Sequence, residues 1–188
     1  MKKKLTVSLL CIALMLFVNV FAQGGVKIVV NGKEVKTDVE CYIKNGRTMV
    51  PVRFIAEELG AEVNYGKDEE HNFSYVNVSA PDDQLALSMT VGYPVATISE
   101  GTYRSDVAPE IKDGRTMVPL RFISDYLNLD VKWDGETNTV NLTSKKLGPN
   151  EDRYKNFEKY FDDKAAEKYS KWLTSKNHSN EQFFEALK

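Results

Sequence analysis

The stretch NGRTMVPVRFI, residues 45–55, returns sixty-eight positions later as DGRTMVPLRFI, residues 113–123. Self-similarity at a fixed spacing constrains a fold more than any composition does, because each copy has to build the same local unit. A phrase spelled twice in 188 residues serves either a chemistry needed in two places or a structural unit needed twice.

The residue types inside the phrase favour structure. Asn45-Gly46 and Asp113-Gly114 accept positive φ at both central positions of a type I′ turn, so each phrase opens at a hairpin tip. Thr48-Met49-Val50 and Thr116-Met117-Val118 continue as strands, held extended by the prolines that follow. Pro51 and Pro119 suit the first turn of a helix, where the missing N–H has no partner to lose. Val52, Ile55, Ala56 and Leu59 then mark one buried helical stripe, and Leu120, Ile123, Ser124 and Leu127 mark the other. Gly60 and Asn128 take the left-handed cap position. Alternating segments follow at Val63 and Tyr65 and at Val131 and Trp133, with closing strands at residues 75–78 and 139–142. The pattern predicts an α+β fold: two ββαββ-type repeats, about 26–78 and 85–142, forming antiparallel sheet packed on helices and followed by a C-terminal helical segment.

With the VNGKEV hairpin at residues 30–35 and the VKWDGETNTVNL ending at residues 131–142, the doubled phrase resembles the copper amine oxidase N-terminal, or stalk, domain of bacterial envelope proteins over roughly residues 26–142. The resemblance implies a non-catalytic extracytoplasmic module; in the oxidases this domain is an appendage remote from the copper.

The residues themselves offer little catalytic chemistry. An oxidase site would need three histidine ligands and a tyrosine in an Asn-Tyr-Asp/Glu context, whereas this chain has His71 and His178 and the imperfect Asn64-Tyr65-Gly66. No nucleophile elbow, phosphate-binding glycine loop or H-E-x-x-H occurs, and Asp68-Glu69-Glu70 reads as a solvated loop. The expectation is no enzyme, no cofactor and no metal. Residues 23–144 carry 12 lysines and arginines against 19 acids, a balance that argues against nucleic acid, whose phosphates need a concentrated basic face.

Candidate surfaces remain. Phe54 and Phe122 lie about 200° around their helices from Val52 and Leu120, at roughly 100° per residue, with Arg53 and Arg121 beside them. They are either covered by a second layer or form an exposed Arg-Phe surface for a glycan or partner. Trp133 and its counterpart Tyr65 are either core aromatics or sugar-stacking platforms.

Both ends of the chain differ from the middle. Three lysines, an apolar stretch and the small-residue exit at Ala22 make residues 1–22 a secretory signal, so residues 23–144 form the stalk-like domain in a secreted or envelope-associated protein. An uncleaved signal would be its one membrane attachment. Loss of Cys11 with that segment leaves Cys41 alone. Residues 145–188 are a helical tail: Asn150 is a helix start, and Tyr154, Phe157, Phe161, Ala165, Tyr169 and Trp172 recur at three- and four-residue steps over about five turns. A shorter helix is expected from Ser179. The aromatic face either packs on the stalk or, through Phe157 and Trp172, docks on another protein or the membrane surface; the partner expected of the whole chain is another envelope protein or a cell-wall polymer.

Overall fold

The computed structural model describes residues 25–70, 72–81, 85–99, 101–146 and 155–174, without the side chains of 169 and 172–174. The expected signal, the helix start at Asn150, the helix from Ser179 and both histidines lie outside these residues.

A hairpin of β1 (Lys27–Val30) and β2 (Lys33–Val35) comes first. It is followed by β3 (Tyr42–Lys44), β4 (Arg47–Pro51), helix α1 (Val52–Glu58), β5 (Glu62–Asp68) and β6 (Phe73–Ser79). Next come β7 (Ala86–Thr90), β8 (Val95–Ile98) and β9 (Gly101–Arg104). The strand-strand-helix-strand-strand order then recurs as β10 (Glu110–Lys112), β11 (Arg115–Pro119), α2 (Leu120–Tyr126), β12 (Leu129–Asp134) and β13 (Thr139–Ser144).

The strands form three sheets rather than one: β12-β13-β1-β2, β10-β11-β4-β3 and β5-β6-β7-β8-β9. In the middle sheet the two copies of the phrase pair with each other. Val50 lies opposite Val118, Met49 opposite Pro119 and Pro51 opposite Met117, so the antiparallel ladder is centred on equivalent valines. Each phrase therefore pairs with its own equivalent in the other copy. Val39, Met49, Val107 and Met117, two residues and their equivalents sixty-eight positions on, form a small buried cluster there.

Polar contacts repeat the symmetry. Arg47 is paired with Asp106, with Nε donating at 2.8 Å, and Arg115 reciprocates on Asp38 with Nη2 donating at 2.6 Å. Tyr42 and Glu110 are equivalent positions, and the tyrosine hydroxyl donates to the carboxylate. Thr37 donates to the Val39 carbonyl as Ser105 does to Val107.

Asn45, Gly46, Asp113 and Gly114 have φ of 50°, 73°, 48° and 73°, the left-handed pair that a type I′ turn requires. Both prolines differ slightly from expectation: each is still a strand residue and stands as the cap before its helix, at φ −70° and −62°. A residue without an N–H fits either place, and here the cross-repeat ladder takes it. The helices are two turns each, burying Val52, Ile55 and Ala56 in α1 and Leu120, Phe122, Ile123, Ser124 and Tyr126 in α2.

One parallel pairing and one added strand depart from the expected pattern. β1 runs parallel to β13, so the first hairpin closes onto the last strand. By the same offset β8 and β9 are the counterparts of β1 and β2, yet β7 is inserted between β6 and β8, antiparallel to both. By this offset the second copy begins at β8 rather than at residue 85, with β7 lying ahead of it.

The tail also differs from a continuous helix. A 3-10 turn, Glu158–Tyr160, precedes α3, Asp163–Thr174. Between them Phe161 bridges to Tyr103 of β9 and Asp162 N–H donates to the Thr102 carbonyl at 3.1 Å. This extended link cannot be helical. Asp162 Oδ1 instead accepts from Ala165 N–H at 2.9 Å, capping α3.

Candidate functional grooves

Phe157 decides where the tail belongs. It is fully buried, with ring centroids 4.8 Å from both Phe122 and Tyr103 and 5.9 Å from Tyr126. Tyr160 stacks edge-on to Phe122 at 4.9 Å and donates its hydroxyl to Asp125 at 2.7 Å, beside the Lys159–Asp125 ion pair at 2.8 Å. Burial and the Asp125 contact both push the Tyr160 hydroxyl well above its ordinary value. Phe122 and Phe157, candidates for a ligand surface by sequence, are thus removed from it: both are buried in one aromatic cluster with Tyr103, Tyr126 and Tyr160. Trp172 lies in α3, with its side chain outside the described residues.

The other candidates come together in two grooves. One, of about 530 Å³, is lined by Arg53, Phe54 and Tyr65 with Val52, Val63 and Val76, and is closed on one side by Ile111 and Gly114-Arg115-Thr116. The other, of about 170 Å³, is lined by Leu120, Arg121, Val131, Trp133 and Val140, facing Gly46-Arg47-Thr48. They are the same construction with the parts of the two copies exchanged. In each, the helix start and sheet of one repeat meet the hairpin tip of the other.

Tyr65 and Trp133 are 52% and 53% exposed. Both stand on outer strands, β5 and β12, on the alternation that buries or half-buries Val63 and Val131. Both rings are exposed at the groove lip and are not core residues. Arg53 is exposed, its nearest carboxylate being Glu57 at 3.9 Å, and Phe54 is half-buried. Sequence reasoning missed the part taken by Arg47 and Arg115. Their signal was available, since Asp38 and Asp106 recur at the same offset as the two arginines.

A third and larger cleft, of about 860 Å³, lies between the loop at residues 104–110, the β3–β4 tip and the tail. Its charges alternate: Lys44, Arg104 and Lys159 stand against Asp106, Glu110 and Asp162. Lys44 is paired with Glu110, and Arg104 is 3.8 Å from Asp162.

Among the described residues no three histidine, cysteine, aspartate or glutamate side chains are grouped to hold a metal ion. Cys41 is buried, and burial first, with Glu40 adding to it, pushes its thiol up to about 11. A protonated, enclosed thiol is a poor ligand and nucleophile, so the described residues do not fit copper.

The described residues form an α+β scaffold with shallow surface grooves. The chain belongs to the copper amine oxidase N-terminal domain family, whose model matches residues 29–142. That domain is the non-catalytic part of those oxidases. No curated protein and no solved structure matches the chain.

Proposed function

We propose that this protein is a non-catalytic, secreted stalk or adaptor module of a bacterial envelope, built from two ββαββ repeats in residues 23–144 and exported by the signal at residues 1–22. The single observation that carries the reading is the pairing of the two phrases with each other. Met49, Val50 and Pro51 with their equivalents make the central ladder, and the phrase arginines bind the other repeat's aspartates. The most specific part of the sequence is used in holding the scaffold together, which leaves its outer surfaces to do the binding. The partner class is another envelope protein or a cell-wall polymer, with no nucleic acid.

A second reading, a cell-wall glycan-binding module, is favoured by the exposed Tyr65 and Trp133 at equivalent grooves. Cosedimentation of the exported chain with isolated envelopes tests both. Saturable retention without release of wall fragments is the expected result; absence of retention, or turnover of the fragments, overturns the proposal.

A further inference from the structure

We propose that the two grooves are subsites for one linear carboxylated polysaccharide, with the Tyr65 groove the principal one. This deepens the glycan reading above and rests on it.

Charge comes first. Neither groove has an aspartate or glutamate in its lining, and each presents two guanidinium groups, Arg53 with Arg115 and Arg47 with Arg121. That is unusual in a region with 19 acids against 12 bases, and it complements an anion. Arg115 and Arg47 are already committed to Asp38 and Asp106, so the cation left for a ligand in the larger groove is Arg53, with its carboxylate neighbour no nearer than 3.9 Å.

A bare inorganic anion would leave the rest of the groove unused. Val52, Val63 and Val76 line it, and the half-exposed Tyr65 ring shares its lining with Arg53. The ligand that satisfies both has a carboxylate for the planar fork of arginine and a flat, weakly polar face for an aromatic ring that is apolar with a polar tip. A uronic-acid pyranose has these two faces on one ring.

The doubling points to a polymer. A chain of repeating sugars carries the same unit for both grooves, and engagement of the second becomes intramolecular once the first is filled. The grooves are unequal because Phe122, the counterpart of Phe54, is held by Phe157 and does not line the smaller one. Phe54 and Ile111 enlarge the first.

Titration calorimetry on the full chain with three probes tests this: polygalacturonate, its methyl ester and polyglutamate. Binding to polygalacturonate alone is expected. Tyr65→Ala and Arg53→Ala should each weaken it by about tenfold or more, and Trp133→Ala by less. Tyr65→Phe should bind like the parent, and an unchanged melting temperature shows each variant to be folded. Equal binding of polyglutamate would make the grooves acidic-peptide sites and overturn the proposal, as would methyl-ester binding or indifference to Tyr65→Ala. If polygalacturonate is not bound while envelope retention persists, the ligand class is wrong and the envelope reading stands. Loss of both overturns the two together.

Discussion

At Gly46 and Gly114 a side chain would meet open space, with no atom within 4 Å of an added Cβ, so any penalty there comes from the backbone alone. Both residues sit at φ 73°, where a β-branched residue is strained by about 1 to 3 kcal/mol. Gly46→Val and Gly114→Val are therefore each expected to lower stability by that amount in chemical unfolding. Unchanged midpoints would show that the tips contribute nothing. Asn45 and Asp113 both occupy the left-handed region, so exchanging them should cost little. These positions were legible in the sequence because an Asn-Gly or Asp-Gly pair between apolar runs has one economical conformation. Phe122 was not: its angle on the helix placed it off the stripe, and the rings packed against it, Phe157 and Tyr160, come from a distant part of the chain.

The strand-strand-helix-strand-strand order could be read from periodicity and turn residues, since each element is decided within its own few residues. β7 could not. Its place between β6 and β8 is fixed by ladders to both, which no local pattern announces. The tail helix was misread for a related reason, as the three- and four-residue spacing of its aromatics continued through Phe161 although that residue's backbone is bound to β9. Where the elements of the two repeats meet, Glu110 on β10 receives Lys44 and Tyr42 from β3, and Lys112 lies 4.2 Å over the Tyr42 ring. Burial alone would raise the Glu110 carboxyl, but hydrogen bonds from Lys44 and Tyr42 outweigh it and hold the group below its usual range. A lowered folded-state value means stability that is present above the ordinary carboxylate range and lost as pH falls through the folded-state value. Wild type should accordingly melt above Glu110→Gln near neutral pH, with the gap closing as pH falls below the ordinary carboxylate range. A gap that is constant with pH would assign the effect to packing instead.

Across the whole molecule, both ends of the family match are used to close it: β1 pairs in parallel with β13, and each groove takes walls from both repeats. Such contacts join residues distant in sequence, Lys27 with Thr139 in one case and residues 53 and 65 with the tip at 114–116 in another, so the sequence could name Arg53, Tyr65 and Trp133 as candidates without showing which hairpin tip each would face. The tail is the largest departure from two-fold symmetry. Phe157 fills a site walled by Phe122, Tyr103 and Tyr126, while Tyr126 itself reaches the carbonyls of Val78 and Leu85 at 2.9 and 3.0 Å. The tail therefore covers a part of the core through which α2 touches the first repeat's closing strand. Deleting residues 148–188 should uncover Phe122 and Tyr103, lower the melting temperature and promote aggregation, because the apolar surface returns to water. Phe157→Ala in the full chain should reproduce most of the loss, about 3 to 5 kcal/mol for emptying a buried phenylalanine site. Phe161→Ala should cost far less, since that ring is 53% exposed and the segment is tied down by its backbone. Thermal melts of the three variants decide the matter: a truncation that melts with the parent would mean that the core does not depend on Phe157, and would free the tail's aromatic residues for a partner.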